Sequence, residues 1–114
     1  MSNYFPRQGD IVWLNFDPRA GHEQKGRRPA VLISNSDAHF FLKGRAMVCP
    51  ITSTNKGFPL QPILDDRTKT QGVILCDQAM ILDINARKVE YIEQIPEDIL
   101  RTAVDIVYGI IEIV

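Results

Sequence analysis

Short apolar runs separated by Gly, Pro, Asn and Asp fill the first 95 residues, and this spacing constrains the fold more than any other feature. Runs of this length between turn-forming residues are typical of β-strands. The sequence therefore predicts strands at 11–16, 30–34, 46–51, 60–64, 72–76 and 89–94. Pro62 interrupts the fourth run, so that segment is predicted to be an edge strand or a bulge.

The C-terminal segment has a different period. Pro96 is suited to a first helical turn, and Glu97 and Asp98 suit the positive end of the helix dipole. Apolar residues then recur at helical spacing, which predicts an amphipathic, core-packing helix: Ile99, Ala103, Ile106, Val107, Ile110 and Val114. A short helix is also predicted within 35–42, with Asn35 or Ser36 as its cap. Five or six strands and one terminal helix in 114 residues predict a single domain, 1–114, of the mainly β (α+β) class: a strongly bent sheet or barrel capped by the helix.

Several classes of protein are disfavoured. The polar start from Met1 to Asp10 does not resemble a signal peptide, and no apolar run is long enough for a membrane span, so we expect a cytoplasmic protein without membrane contact. Cys49 and Cys76 lie in apolar runs and are interpreted as reduced core residues, with a disulfide or a reactive thiol as the alternatives. We expect no metal and no cofactor, because no Cys, His or carboxylate set has ligand spacing.

Charge is distributed unevenly along the chain. Residues 1–60 hold eight Lys/Arg and four Asp/Glu, whereas residues 61–114 hold five and ten, which together give the net charge of −1. A basic first half is a candidate surface for a phosphate backbone. The alternative is that the two halves mix in three dimensions and no basic surface forms.

The segment from Asp17 to Arg27, DPRAGHEQKGR, is long for a hairpin connection and rich in ionisable side chains. Loops of this kind on a rigid sheet often carry function, although a cluster of Lys, Arg and Glu on a turn is also typical of a solvated loop. Cleavage of RNA without metal requires a base for the 2′-hydroxyl, a cation for the phosphorane and an acid for the leaving oxygen. Glu23 suits the base, and Arg28 suits the cation because Pro29 and the following buried strand anchor its backbone.

Four segments of this sequence resemble segments of one protein family and occur in the same order as they do there. GHEQKGRRPAVLIS (21–34) resembles the GxEQxGxRPxxV signature of the MazF/PemK/Kid family, the toxins of bacterial type II toxin–antitoxin pairs. GDIVWLNFDP, MVCPITSTNKGFP and GVILCDQ resemble the flanking segments of that family, so the resemblance covers most of residues 8–82.

The resemblance implies a fold and an activity. The fold would be a small SH3-like barrel of the CcdB/MazF/Kid type with a C-terminal helix. The protein would be a sequence-specific, metal-independent endoribonuclease, or mRNA interferase, that leaves a 2′,3′-cyclic phosphate and a 5′-hydroxyl. It would act as a homodimer in the cytoplasm, a MazE-like cognate antitoxin would cover its RNA site, and contact with DNA would occur only through that antitoxin.

Residue roles follow from the same resemblance. The catalytic pair would be Arg28 and Thr52, joined by Glu23, whose role as base is less secure. The RNA-binding residues would be Gln24, Lys25, Arg27, Ser53, Lys56 and Gln78. Thr54 and Asn55 offer further polar contacts, and Phe58 either stacks on a base or belongs to the core. His22 is often serine in relatives and is not expected to be essential, and the 34–45 loop is expected to tune which RNA is cut.

Two other functions are compatible with parts of this sequence. One is a non-enzymatic toxin on the same kind of barrel, like the gyrase poison CcdB, which acts through its terminal helix. The other is an RNA-binding module that has lost cleavage. The intact EQxGxRP loop argues against the first, and retained Arg28 and Thr52 argue against the second.

Overall fold

The structure, a computed structural model, describes residues 4–17 and 26–114. Its strands are β1 (Asp10–Asn15), β2 (Arg27–Leu32), β3 (Arg45–Thr52), β4 (Val73–Ile74), β5 (Met80–Asp83) and β6 (Glu90–Gln94). Its helices are α1 (Ser36–Phe41) and α2 (Glu97–Ile111), and single 3₁₀ turns lie at Cys76–Gln78 and Asn85–Arg87. The predicted class, mainly β with a C-terminal helix, is confirmed.

The strands form one antiparallel sheet in the order β4-β3-β2-β1-β6, and β5 also pairs with β3. One edge of β3 pairs with β2. Its other edge is shared, because β5 takes residues 45–48 and β4 takes residues 51–52. Two segments that are close in sequence therefore lie in line along a single strand.

Pro50 lies at the gap between these two pairings. Its carbonyl accepts a hydrogen bond from Leu75 N at 2.9 Å, but proline has no N–H with which to return one. The Leu75 carbonyl instead accepts from Gln78 N at 3.0 Å, which closes the 3₁₀ turn Cys76–Gln78. The segment that pairs with β3 therefore turns away from it after Leu75, where Pro50 has no N–H to donate.

Side-chain alternation gives the sheet two buried faces. On β2 and β3, Val31, Cys49 and Ile51 pack towards α2, in one core cluster that also includes Cys76 and Ala103. Their neighbours along each strand belong to a second cluster on the opposite face, formed by Val12, Leu14, Phe16, Ala30, Leu32, Ala46, Val48, Leu82 and Ile84. This period of two is what a bent sheet buried on both faces requires.

Both cysteines are buried with free thiols, as predicted for core residues. Cys49 and Cys76 belong to the same core cluster, and their thiols contact each other. A hydrogen bond with Cys76, together with burial, raises the pKa of the Cys49 thiol well above its ordinary value. This thiol is therefore in its neutral form.

Helix α2 covers the first core cluster with its first three turns. Pro96 is the N-cap residue rather than a residue of the first turn, and the predicted acidic residues Glu97 and Asp98 follow it. Ile99, Ala103 and Val107 are buried. Ile110 is 52% exposed, however, and Val114 lies beyond the helix and is fully exposed, so the prediction that these two belong to the core is wrong. The apolar period of the helix therefore continues beyond its last buried residue, Val107.

Other boundaries differ for identifiable reasons. The segment 60–64, predicted to be an edge strand or a bulge, lies at the edge beside β4 but forms only one bridge, between Ile63 and Val73, because Pro62 has no N–H to donate. The strand predicted at 72–76 is only two residues long, because the 3₁₀ turn begins at Cys76. Strand β2 begins three residues earlier than predicted and ends at Leu32. Helix α1 is confirmed, and the Asn35 side chain caps it by accepting from Ala38 N at 2.8 Å. Strand β5 was not predicted.

Across residues 4–17 and 26–114, no helix combines the length and the apolar character needed to cross a membrane.

The second core cluster provides a test of the fold. Phe16 is fully buried, whereas Phe41 is 77% exposed. Phe16→Ala should lower the free energy of unfolding by about 3–5 kcal/mol because it leaves a cavity. Phe41→Ala, the control, should change it by less than about 0.5 kcal/mol. Urea titration measures both, and equal effects would contradict the packing described.

Candidate functional site

Arg28 and Thr52 lie at the same end of neighbouring strands. The pairing of β2 with β3 ends at Ala30–Pro50, and Arg28 and Thr52 each lie two residues beyond that pair, towards the same end of the sheet. Alternation along each strand turns both residues to the face that carries Ala30 and Pro50. The two residues that the family resemblance pairs therefore share one end and one face of neighbouring strands. Arg28 is half-buried and Thr52 is buried.

A cleft of about 480 Å³ opens beside Thr52. It lies between the start of the 53–72 connection and the 3₁₀ turn that follows β4. Its lining combines hydroxyl, amide, charged and aromatic groups: Thr52, Thr54, Lys56, Phe58, Gln61, Leu75, Asp77 and Gln78. Phe58 is 60% exposed, so its alternative assignment to the core is wrong.

Gln78 and Asp77 reach the cleft because of Pro50. The 3₁₀ turn that Pro50 forces moves residues 76–78 out of line with β4, and Asp77 and Gln78 then line the cleft while Cys76 stays in the core. Gln78 was predicted from the sequence. Asp77 was not, because a single exposed Asp in a turn is unremarkable until the turn is placed beside Thr52.

Thr52 is held from several sides. Its hydroxyl accepts a hydrogen bond from Thr54 N at 3.3 Å, and it pairs with Val73 of β4. Gly72, just before β4, comes so close that a Cβ built on it would lie 2.1 Å from the Thr52 carbonyl oxygen. Thr52 is therefore fixed by its backbone as well as by its side chain.

Arg27 serves the other face of the sheet. Alternation turns it away from Arg28, and its guanidinium binds Glu90 at 2.7 Å and the Lys88 carbonyl at 3.0 Å. It also lies over the Trp13 ring, 5.7 Å from the centroid. The sequence-predicted role of Arg27 in RNA binding receives no support from these contacts and stays a prediction. Its pairing with Glu90 also shows that the two differently charged halves of the chain mix here.

The described residues close the neck of the loop between β1 and β2. Phe16 N donates to Gly26 O at 2.8 Å, and Gly26 N donates to the Asp17 carboxylate at 2.8 Å. Arg87 reaches across from the 3₁₀ turn Asn85–Arg87 and binds Asp17 O at 2.8 Å. Glu23, Gln24 and Lys25, together with His22, lie outside the described residues. The neck nevertheless leads directly into β2 and Arg28.

The remaining predicted residues flank Thr52. Ser53 and Lys56 are exposed on the connection that leaves β3. Lys56 and Asp77, which carry opposite charges, both line the cleft. Among the residues that the structure describes, no three His, Cys, Asp or Glu side chains group as a metal site would require.

Comparison with known proteins identifies the family of this chain. Residues 7–107 match the model of the family described as PemK-like, MazF-like toxin of type II toxin–antitoxin system. The endoribonuclease toxin MazF of Escherichia coli strain K12 is 37% identical over 90 residues, which cover 76% of this chain and 77% of that protein. The endoribonuclease toxin ChpB of the same strain is 32% identical over 111 residues, covering 92% and 93%.

Solved structures are similar over almost the whole chain. MazF from Deinococcus radiodurans superposes with a TM-score of 0.88 at 37% identity, covering 95% of this chain and 97% of that one. A MazE–MazF complex from the same organism gives a TM-score of 0.82, also at 37% identity, with coverage of 95% and 96%. These matches exceed what a shared fold alone would give. The chain belongs to the family of PemK-like, MazF-like toxins of type II toxin–antitoxin systems.

Proposed function

We propose that this chain is a sequence-specific, metal-independent endoribonuclease that cleaves single-stranded RNA and acts as the toxin of a toxin–antitoxin pair. Relatives named as endoribonuclease toxins and membership of their family support this. The observation that carries the proposal is that Arg28 and Thr52 lie at the same end and on the same face of neighbouring strands, with a polar cleft beside Thr52.

Arg28 and Thr52 would serve the phosphate. The 2′-hydroxyl gives its proton to a base and attacks the adjacent phosphorus, the bond to the 5′ oxygen breaks, and that oxygen takes a proton from a general acid, for which Glu23, His22 and Thr52 are the candidates. The products are a 2′,3′-cyclic phosphate and a 5′-hydroxyl. The negative charge that develops on the phosphorane is matched by the planar, permanently charged guanidinium of Arg28. The Thr52 hydroxyl, whose oxygen already accepts from Thr54 N, has its proton available for a phosphate oxygen.

A carboxylate would take the 2′ proton. Glu23, in the sequence between β1 and β2, is our proposed base. Asp77 is a second candidate, because it lines the same cleft as Thr52. A base must be ionised to act, so loss of the base removes the acid limb of the pH–rate profile. Comparison of that limb in Glu23→Gln and Asp77→Asn assigns the role.

The cleft would receive unpaired nucleotides. Lys56 offers a charge for phosphate, Ser53 and Gln78 offer hydrogen bonds to base edges, and the exposed Phe58 ring offers a stacking surface. Gln24 and Lys25 would contact RNA from the loop that precedes β2. The 34–45 loop would tune the cut site from the far end of β3.

The proposed partners are a cognate antitoxin and a second copy of this chain in the cytoplasm. An antitoxin that covers the Arg28–Thr52 end would block RNA entry, and DNA would be reached only through it. The second copy would cover the end of α2, where Tyr108, Ile110 and Ile111 are exposed and continue the apolar face beyond the core.

The first prediction concerns Arg28. Arg28→Ala should reduce cleavage of a single-stranded RNA by about a hundred- to a thousandfold, because the phosphorane loses its cation. Arg101→Ala is the control, since Arg101 is an exposed helix residue that pairs with Glu97. Circular dichroism checks that both variants stay folded. Cleavage by folded Arg28→Ala at the control rate would reject the site.

A second prediction concerns metal. Cleavage should continue in excess EDTA, because Arg28, Thr52 and a carboxylate supply the charge stabilisation and proton transfer in the proposed reaction. Gel analysis of a labelled RNA, with sequencing of the fragments, gives both rate and cut sites. Activity that disappears in EDTA and returns with added magnesium would contradict the mechanism.

A third prediction concerns the dimer. Sedimentation should show a dimer at about 10 µM, within the usual range of stable interfaces. Ile111→Glu should shift it towards monomer because a charge would be buried in the interface. Thr102→Glu, exposed on the same helix nearer its start, should not. A monomeric wild-type chain would count against the proposed second copy.

A further inference from the structure

The segment that follows the cleft residues 53–60 returns to Thr52 along the edge of β3 that pairs with β4. After the exposed residues 53–60, the chain runs through a polar turn at 65–71 and meets β3 again at β4. The turn contributes nothing to the cleft lining described above. Its contacts nevertheless lead, one after another, to the backbone of Thr52.

Gly72 is the point of closest approach. A Cβ on Gly72 would lie 2.1 Å from the Thr52 carbonyl oxygen, 2.7 Å from its carbonyl carbon and 3.1 Å from Ser53 Cα. All three are backbone atoms, so no side chain could move aside to make room. The φ of Gly72 is also +124°, where other residues are strained. Any side chain here would displace the end of β3.

Gly72 is itself held in place. Its carbonyl accepts a hydrogen bond from Leu64 N at 2.9 Å. Two residues further along the chain, Ile74 N donates a hydrogen bond to Pro62 O at 2.9 Å. Gly72 and β4 are therefore hydrogen-bonded to residues 62–64 on one edge and paired with β3 on the other. Movement of the preceding turn would pass directly to Gly72.

Glu93 of β6 fixes that turn. Its carboxylate accepts three hydrogen bonds: Lys69 N at 3.0 Å, Thr70 N at 2.8 Å and the Thr70 hydroxyl at 2.8 Å. Partial burial raises the pKa of Glu93, but these hydrogen bonds outweigh it and hold the pKa below its ordinary value. The carboxylate is therefore ionised near neutral pH and accepts all three bonds at full strength.

We propose that Gly72 and Glu93 are positioning residues for Thr52: Glu93 anchors the 65–71 turn, and the bare backbone of Gly72 supports the Thr52 carbonyl so that the Thr52 hydroxyl is aimed into the cleft. The proposal rests on the proposed function, because it gives Thr52 a role in cleavage. Neither residue touches the RNA, so both act through Thr52.

The test compares kcat and KM on a labelled single-stranded RNA that carries a mapped cut site. Gly72→Ala should lower kcat by about a hundredfold, the cost of a displacement near 1 Å, and change KM by less than about threefold. Gly9→Ala is the matched control, because Gly9 also has a positive φ, +92°, but the atoms nearest its Cβ would be side-chain atoms, the first of them Gln94 Oε1 at 2.8 Å. Gly9→Ala should cleave at nearly the wild-type rate.

Glu93→Gln keeps the test decisive if Gly72→Ala does not fold. The amide removes the charge and faces a donor towards the Thr70 N–H, so kcat should fall by about tenfold. Glu97→Gln is its control, since Glu97 is an exposed residue of α2 that pairs with Arg101. Equal kcat for Glu93→Gln and Glu97→Gln would overturn the role of Glu93.

Thr52→Val separates this inference from the proposed function. In the Thr52→Val background, adding Gly72→Ala or Glu93→Gln should lower kcat by less than about a further twofold, because the effects of coupled substitutions are not additive. Full additivity would indicate a general loss of stability and overturn the inference. If Thr52→Val cleaves like wild type, the site itself is wrong. If it fails while Gly72→Ala and Glu93→Gln match their controls, only the positioning role is wrong.

Discussion

The missing amide hydrogen of Pro50 is the constraint on which the site depends. Proline is rare inside a sheet because it leaves one ladder bond unmade. Here the unmade bond falls on the edge of β3 where β4 ends, and the Leu75 carbonyl bonds to Gln78 N instead. The resulting 3₁₀ turn gives the cleft one wall, with Asp77 and Gln78 directed to it. A residue that could donate would extend the pairing and remove that wall.

β3 also carries the other parts of the site. Its pairing with β2 leaves Arg28 and Thr52 at the same end of the two strands, and its opposite edge receives β4, with Gly72 against the Thr52 carbonyl. Thr52 is therefore a strand end held between two partners, while the residues that follow it are exposed and leave the sheet. This arrangement suits a cleft in which one group must be placed accurately and its neighbours must adapt to a nucleotide chain.

Sequence reasoning succeeded where the signal is local. The first and third strands and α2 follow from the apolar period. It failed where a residue distant in the sequence determines the local structure. β5 exists because Met80–Asp83 meets residues 45–48, more than thirty positions earlier. The 60–64 run contains enough apolar residues for a strand, yet Pro62 leaves it a single bridge. Gly72 reads as one more turn residue until its neighbour across the sheet is known.

Two adjacent arginines show why composition alone could not single out the site. Arg27 and Arg28 have the same charge and belong to the same loop exit, but strand alternation sends them to opposite faces. Arg27 is bound by Glu90 and the Lys88 carbonyl and packs on Trp13, so it fastens the beginning of β2 to β6 and β1. A strand fastened in this way cannot twist freely at its end. The anchoring of Arg27 therefore limits the directions open to Arg28, and a one-residue change of register would exchange their roles.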